Sequence, residues 1–189
     1  CLFRPEEKEM VLDFIRKEGL VPDAILLTHG HFDHTWGTAD LVRETGCPVY
    51  LGAADEPVLQ MHTGLLERLK PGQTLAPFPY RAAEDGMTIR AGGASWQVIA
   101  TPGHTPGGVC YYCESAGVLL SGDTLFAGSI GRTDLMGGDY DALIQSVMNR
   151  LMGLPGDTDV IPGHGAATTI ARELASNPFL KGQRFGDRK

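Results

Sequence analysis

The chain has 189 residues, of which 42% are apolar, and a formal net charge of -7. A chain of this length buries about two-thirds of its unfolded surface, and we expect one domain over residues 1–189. The negative charge argues against nucleic acid as the main partner, and no apolar run approaches the roughly 20 residues that span a bilayer.

The four cysteines do not suggest a disulfide framework in a chain this long. Cys110 and Cys113 form a C-x-x-C motif in a strand-like segment, where residues three apart face opposite sides. We therefore expect no metal ion shared by this pair. No basic-then-apolar secretion signal opens the chain, and the cytoplasm is the expected compartment.

The first predicted element is a helix over residues 5–17, which begins at a proline, carries acidic residues in its first turns and is stopped by Gly19. Its apolar face is expected to pack on a sheet. The residues on that face are Met10, Val11, Phe14 and Ile15. A turn then leads into a short strand at residues 24–27, so the chain opens as an α/β protein.

Three histidines and a carboxylate follow this strand directly, within six residues. On an extended backbone, residues two apart point to the same side, so His29 and His31 can bind one metal ion together. Asp33 and His34 lie past the bend and face a neighbouring position. Neutral imidazole suits zinc, iron and related ions, and a carboxylate adds the charge that such ions favour. The spacing therefore predicts a metal site.

The next elements are a helix over residues 38–44, a strand over 49–51 and an irregular helix over 54–68. His62 lies in the irregular helix, and we expect a surface or packing role for it. A proline-rich loop over residues 71–81 follows.

Strand-like segments then recur at short intervals up to residue 120, as in a meander. Residues 125–134 contain too much glycine for a helix or a strand, which predicts a loop. An amphipathic helix over 140–152, a strand over 159–161 and a helix near 169–176 complete the fold. The inward residues of the amphipathic helix are Leu143, Ile144, Val147 and Leu151. The chain ends in a basic tail with Lys181, Arg184, Arg188 and Lys189.

Three further polar residues, His104, Asp123 and His164, each follow a strand-like segment and stand among glycine or proline residues. The His-x-His-x-Asp-His motif at residues 29–34, followed by these three residues in this order, resembles the metallo-β-lactamase fold family. The resemblance covers residues 6–180 and implies a four-layer αβ/βα sandwich with metals at one edge.

The resemblance also implies a ligand set for two divalent ions, with zinc expected and iron or manganese as alternatives. One ion would be held by His29, His31 and His104, and the other by Asp33, His34 and His164. Asp123 would bridge the two ions. Asp33 would also act as a proton acceptor.

Within the family, the residues favour a short, single-domain glyoxalase II-like hydrolase. Class B β-lactamases usually have cysteine where Asp123 stands, which disfavours that activity. The segment at residues 131–134 (Gly-Arg-Thr-Asp) and the Asn-Pro-Phe ending at 177–179 resemble glyoxalase II relatives. The implied reaction is hydrolysis of a small thioester such as a 2-hydroxyacyl-glutathione, by attack of a hydroxide that bridges the metals. Arg132 is the candidate contact for a substrate carboxylate.

The same residue pattern also resembles that of a second class of enzyme with a different reaction. Persulfide dioxygenases have this fold and a Gly-Arg-Thr-Asp segment, and they bind a single iron through two histidines and an aspartate. The corresponding residues here are His29, His104 and Asp123. Because Asp33, His34 and His164 would complete a second site, the sequence favours two metals and hydrolysis.

The amino-terminal region departs from the family pattern. Family members have two or three strands before the first helix, followed by a loop with an aspartate beside the metals. Only residues 1–4 precede the first helix here. We therefore expect a chain that is incomplete at this end, or a sheet with an exposed edge.

Overall fold

A computed structural model of the chain describes residues 5–69 and 76–181. Some of the sequence predictions fall outside these residues. They are the segment before the first helix (residues 1–4), part of the proline-rich loop (71–75) and the tail residues Arg184, Arg188 and Lys189.

Helices and short strands alternate in the first half of the described chain. Its elements are α1 (Pro5–Lys17), β1 (Ile25–Leu26), α2 (Phe32–Thr35), α3 (Thr38–Thr45), β2 (Val49–Leu51), a 3₁₀ turn (Ala53–Asp55), α4 (Glu56–Leu69) and β3 (Arg81–Ala82). Strands β1, β2 and β3 form a small parallel sheet in that order. The predicted helix over residues 5–17 and the strand over 49–51 are confirmed with these bounds.

Strands dominate the second half. Its elements are β4 (Thr88–Ala91), β5 (Ala94–Ala100), β6 (Val109–Cys113), a 3₁₀ turn (Glu114–Ala116), β7 (Val118–Gly122), β8 (Leu125–Phe126), β9 (Ser129–Ile130), α5 (Tyr140–Ser146), a π-helical turn (Val147–Leu151), β10 (Asp159–Pro162), β11 (Thr168–Thr169) and α6 (Ile170–Ser176). The large sheet has the order β11-β10-β7-β6-β5-β4, and β4 to β7 form the predicted antiparallel meander.

Three apolar clusters define the layers of the fold. On one face of the large sheet, Cys110 and Leu119 pack with residues of α5, the π-helical turn and α6. On its other face, Val98 and Tyr111 pack with the small sheet. The small sheet in turn packs with residues of α3 and α4, among them Val42. The order helices, small sheet, large sheet, helices is the predicted four-layer sandwich.

The structure differs from the sequence predictions at three places. Residues 125–134 are not all loop, because β8 and β9 pair as a small hairpin. The expected apolar face of α1 is wrong in part, since Met10 is 69% exposed and Phe14 is 58% exposed, whereas Leu12 is buried. The helix predicted over 140–152 is α-helical only to residue 146 and ends in the π-helical turn, although its four inward residues lie in the core as expected.

Two further predictions, about membrane helices and about cysteines, can be compared with the described residues. Among the described helices, none combines the length and hydrophobicity that a bilayer crossing requires. Cys110 and Cys113 are both buried and unpaired.

Gly103 fixes the contact between the loop after β5 and the start of α5. Its φ is +135°, and an added Cβ would lie 2.3 Å from the backbone nitrogen of Leu143. The Gly103 carbonyl accepts a hydrogen bond from the backbone of Asp139 at 2.8 Å. A side chain at residue 103 would therefore suffer both backbone strain and a clash with a helix.

We predict that Gly103→Ala lowers the free energy of unfolding by about 3 kcal/mol. Urea denaturation followed by circular dichroism measures this change. Gly153→Ala is the matched control, because an added Cβ there meets nothing within 4 Å and the φ of Gly153 is not positive. Equal unfolding midpoints for the two variants would contradict the packing argument.

Candidate metal centre

The first cluster residues follow the small sheet. The chain leaves β1 and bends at Thr28, whose carbonyl accepts a hydrogen bond from the backbone of Val109 at 2.8 Å. His29 and His31 come next, and His31 is the N-cap residue of α2 with extended backbone angles. Asp33 and His34 lie on α2 itself. The predicted bend between the two pairs of residues is therefore the start of a one-turn helix.

The other cluster residues come from three loops at the end of the large sheet. His104 follows β5, Asp123 follows β7 directly, and His164 follows β10. Strands β7 and β10 are parallel neighbours, so the loops at their carboxyl ends meet at one edge of the sheet. A hydrogen bond of 2.8 Å from Gly163 to the Gly122 carbonyl joins these two loops.

The structure brings all seven of these side chains together. The inner set is buried, and it consists of His29, His31 and His104. The outer set is more exposed, and it consists of Asp33, His34 and His164. Within each set, one possible ligand atom from every residue lies within 4.8 Å of the others. These two sets have the same members as the ligand sets that the family resemblance implies, and a third group of possible ligands, His29, His34 and Asp123, overlaps both.

The side chains of each set approach one another closely. In the inner set, His31 Nδ1 lies 2.9 Å from His104 Nε2, and the ring centroid of His29 is 4.8 Å from each of the other two rings. In the outer set, His164 Nε2 lies 3.0 Å from Asp33 Oδ2 and 3.3 Å from His34 Nε2.

Asp123 lies between the two sets. Its Oδ2 is 3.6 Å from Nε2 of His104 in the inner set. Its Oδ1 is 3.3 Å from Nε2 of His34 in the outer set, and its Oδ2 is 3.7 Å from Nε2 of His164. A single carboxylate can therefore reach ligand atoms of both sets.

Two polar atoms of the cluster are buried without a hydrogen-bond partner among the described residues. They are His29 Nε2 and His31 Nε2, whereas the buried Asp123 Oδ1 has His34 Nε2 as a contact at 3.3 Å. Each such atom costs about 1–3 kcal/mol if nothing satisfies it. Because one possible ligand atom from each residue of a set lies within 4.8 Å of the others, and all of them are imidazole or carboxylate atoms, the donor set fits a divalent transition metal.

Backbone and hydroxyl contacts orient two of the inner rings. His104 Nδ1 lies 2.7 Å from the carbonyl oxygen of Arg132, and a carbonyl can only accept, so Nδ1 carries the proton. His104 Nε2 is then the unprotonated nitrogen that faces the cluster. His29 Nδ1 lies 3.1 Å from the hydroxyl of Thr28, which leaves its Nε2 on the cluster side.

Burial and repulsion by neighbouring histidines lower the pKa of His29 and His31 and so keep these two rings neutral. Burial lowers the pKa of His29 well below its ordinary value, and the neighbouring His34 lowers it further. Burial also lowers the pKa of His31 to about 4, with His104 as the next cause. Burial opposes ionisation of Asp123, but the contact with His34 and the charge of that ring outweigh it and hold the pKa of the carboxyl below its ordinary value. Neutral imidazoles beside a carboxylate are the protonation states that metals bind.

A cavity of about 770 Å³ opens onto the cluster. Asp33, His104 and His164 contribute to one side of it. Its other walls are largely apolar and include Phe32, Phe126, Ile130 and Leu135. The predicted substrate contact, Arg132, also lines it, but its guanidinium makes two hydrogen bonds to Asp134, at 2.8 and 2.7 Å. A substrate carboxylate would have to compete with Asp134 for this side chain.

Sequence reasoning missed two contributors to the site. One is the main-chain carbonyl of Arg132, since the sequence drew attention only to the side chain. The other is Asp55, which is fully buried and hydrogen-bonded to the loops of the inner set. The only sign of Asp55 in the sequence was an acidic residue shortly after the buried strand β2.

His62, expected to have a surface or packing role, is buried with its ring centroid 5.0 Å from that of His31.

Comparisons with known proteins agree with this geometry. The model of the metallo-beta-lactamase superfamily matches residues 2–164. The chain is 40% identical over 181 residues to the probable metallo-hydrolase YqgX of Bacillus subtilis, covering 93% of this chain and 84% of the relative. It is 34% identical over 176 residues to the hydroxyacylglutathione hydrolase GloC of Haemophilus influenzae, covering 92% of this chain and 83% of the relative.

Solved structures are similar over most of their length. BLEG-1, a B3 metallo-beta-lactamase, has a TM-score of 0.84 and 39% identity over 93% of this chain and 85% of its own. TTHA1623, in a di-iron-bound form, has a TM-score of 0.82 and 42% identity, and the match covers 91% of this chain and 84% of TTHA1623. ETHE1 from Myxococcus xanthus has a TM-score of 0.77 and 27% identity, and the match covers 95% of this chain and 72% of ETHE1.

These relatives support a metal-binding hydrolase as the class of protein. The expected fold is confirmed, because the mixed α/β architecture matches structures of this kind over nine-tenths or more of the chain. The match of the superfamily model covers the inner and outer sets together with Asp123. The chain therefore belongs to the metallo-β-lactamase superfamily.

Proposed function

We propose that this protein is a dinuclear metal-dependent hydrolase that acts on a small thioester, with 2-hydroxyacyl-glutathiones as the substrate class. The observation that carries the proposal is the pair of three-residue sets with Asp123 between them, at the side of one cavity. The similarity to the hydroxyacylglutathione hydrolase GloC supports the substrate class.

In this proposal the inner set would hold one divalent ion and the outer set the other, and Asp123, which lies between the sets, would serve as a ligand to both. The buried His29 Nε2, which has no hydrogen-bond partner among the described residues, supports this assignment, because a cation would satisfy it. Imidazole and carboxylate ligands suit zinc, which is our first choice. Iron is an alternative that the di-iron-bound form of TTHA1623 supports, and manganese is another.

A pair of divalent ions at this position would lower the pKa of a shared water to about 7 and so supply hydroxide at neutral pH. Hydrolysis of a thioester forms a bond from that oxygen to the acyl carbon and breaks the bond from the acyl carbon to sulfur. The proton released by the water passes to the departing thiolate. Asp33 is our candidate for holding that proton, because it lines the cavity and its side chain is 26% exposed.

The cavity would select and orient the substrate. Its apolar walls suit the methylene and sulfur groups around a thioester bond, and they reduce the access of bulk water to the acyl carbon. Arg132 is the cationic side chain among the lining residues, and it would meet a substrate carboxylate only by leaving Asp134.

Two other activities have a specific observation in their favour. The persulfide dioxygenase alternative would use one iron held by His29, His104 and Asp123, and these side chains lie close together: His104 Nε2 is 3.6 Å from Asp123 Oδ2, and the ring centroids of His29 and His104 are 4.8 Å apart. The similarity to BLEG-1 supports hydrolysis of a β-lactam. The complete outer set argues for two ions over one, and GloC argues for the thioester.

We predict about two metal ions per chain in protein expressed with zinc, and release of free thiol from S-lactoylglutathione. Metal analysis and a thiol-reactive dye measure these quantities, with protein stripped by a chelator as the control. One iron per chain with rapid oxygen uptake on glutathione persulfide would overturn the proposal. Faster turnover of a chromogenic cephalosporin than of any thioester would overturn the substrate class.

A second prediction tests the outer set. His164→Ala should lower the metal content from two ions per chain to one and should lower thioester turnover by about 100-fold or more. The side chain of His164 is 52% exposed, so its removal should cost little folding free energy. The control is Asp159→Ala, which truncates an exposed side chain at the start of the same strand, β10. Full activity with one remaining ion would contradict a dinuclear mechanism.

A third prediction concerns pH. The pKa of His31 is about 4 in the folded protein and 6.5 for an unperturbed histidine, so between these values the unfolded chain binds more protons. The stability of the metal-free protein should therefore fall as the pH drops from 7 to 4, with His31 contributing roughly 3 kcal/mol of the loss. Urea denaturation at stepwise pH values measures this profile. It should be flatter for His31→Gln, and a profile unchanged by that substitution would refute the assignment.

A further inference from the structure

Asp55 is a fully buried carboxylate that the reaction scheme does not use. It ends the 3₁₀ turn that follows β2, and its side chain has no exposed surface. Its Oδ2 accepts hydrogen bonds from the backbone of Gly30 at 2.7 Å and from the hydroxyl of Thr105 at 2.8 Å. Its Oδ1 accepts a bond from the backbone of Gly107 at 2.5 Å. All three donors are neutral, so the contacts fix positions without forming an ion pair.

The positions of these donors along the chain are informative. Gly30 stands between the two inner histidines His29 and His31, and Thr105 follows the third, His104, directly. One carboxylate thus joins the two loops that carry the inner set. None of the three donors lies on the loop of Asp123 or on that of His164.

The turn that carries Asp55 packs closely against both inner-set loops. An added Cβ at Gly107 would lie 2.8 Å from Asp55 Oδ1, and one at Gly30 would lie 3.1 Å from the Asp55 carbonyl oxygen. An added Cβ at Gly52 would lie 2.0 Å from the Gly107 carbonyl oxygen. The two loops therefore meet the turn that carries Asp55 at direct contact distance, and the Asp55 carboxylate is hydrogen-bonded to both of them.

We propose that Asp55 is a positioning residue that sets the spacing of the two inner-set loops and thereby controls the metal affinity of the inner set but not of the outer set. This inference rests on the proposed function, because it uses the same two metal-binding sets. Groups that orient metal ligands from behind typically change affinity by about 10–100-fold when they are removed.

The test compares two substitutions with different chemistry. Asp55→Asn keeps the size of the side chain but replaces one acceptor oxygen with an NH₂ group, which cannot accept from Gly30, Thr105 or Gly107. Asp55→Glu keeps the charge but adds a methylene group to a closely packed contact. If Asp55 acts by position, both variants should weaken one zinc site by about 10–100-fold. Restoration of wild-type affinity by Asp55→Glu would mean that the charge alone matters, and it would overturn the proposal.

Glu173 provides a matched control. It is also fully buried and accepts three hydrogen bonds, from Gly128 at 2.8 Å, Thr168 at 2.6 Å and Asn177 at 2.8 Å. None of these partners lies on an inner-set loop. Glu173→Gln should therefore lower folding stability by an amount similar to that of Asp55→Asn while leaving both zinc affinities unchanged.

The readout is zinc affinity, measured by competition of the full-length apoprotein with a chromophoric chelator, so it does not depend on turnover. Repeating the Asp55→Asn substitution in His164→Ala protein assigns the effect, because the inner set is then the proposed site of the remaining ion. Weaker binding of that ion supports the proposal, and unchanged binding overturns it. If wild-type protein binds fewer than two zinc ions, the proposed function fails, whatever Asp55 does.

A milder variant covers the case in which Asp55→Asn does not fold. Thr105→Val removes one of the three donors with little change in shape, and it should weaken the inner site by about 3–10-fold. The cobalt-substituted protein gives an independent signature, since altered ligand geometry at the inner set changes the visible absorption of Co²⁺. Wild-type affinity and an unchanged cobalt spectrum for Thr105→Val would also overturn the proposal.

Discussion

The rest of the structure depends on one electrostatic constraint, which is the burial of several imidazoles and a carboxylate at a single point. Nitrogen atoms of His31 and His104 lie 2.9 Å apart, and the neighbouring His29 Nε2 is buried with no hydrogen-bond partner in the described residues. Such an arrangement is unfavourable for a polypeptide alone, because each unsatisfied buried group costs free energy and protonated rings would repel one another. A cation removes both penalties, so a binding site for metal is the economical explanation of the cluster.

The fold holds this unfavourable cluster together through loops that have little freedom. Parallel strands β7 and β10 bring Asp123 and His164 to one edge, while the small sheet delivers His29 and His31 from the opposite layer. Side chains and backbone groups outside the cluster then fix the rings, as the Arg132 carbonyl does for His104. The free energy that burial of these polar groups costs must be offset elsewhere in the fold. Burial of apolar side chains in the three clusters between the four layers offsets it.

The elements and residues that the sequence predicted well are those whose signal is local. The helix Pro5–Lys17 begins at a proline and the strands Val49–Leu51 and Val109–Cys113 are compact apolar runs, so their bounds could be read directly. The site residues could be predicted because their spacing resembles a known family and each follows a strand. Their assignment to particular metals is still a prediction.

Features that depend on distant partners were not predictable in the same way. Strands β8 and β9 have two residues each and exist because they pair with one another, whereas the local composition favours a loop. The role of Asp55 depends on contacts with residues 25, 50 and 52 positions away, which no local pattern contains. The exposure of Met10 and Phe14 likewise reflects how α1 lies on the described part of the molecule and not its periodicity.

This difference explains why the chemistry of the protein is easier to infer than its substrate. The metal cluster is built from a sequence motif, and relatives as different in name as BLEG-1, GloC and ETHE1 are similar to this chain over most of its length. A shared scaffold does not fix which molecule is bound. Selection must come from the cavity walls, to which Glu7 of α1, Phe126 of β8 and Leu135 contribute. These walls include α1 and the β8–β9 hairpin, the same elements whose burial and pairing the sequence predicted least well. In this chain the cavity walls therefore include the contacts that are least visible in a single sequence.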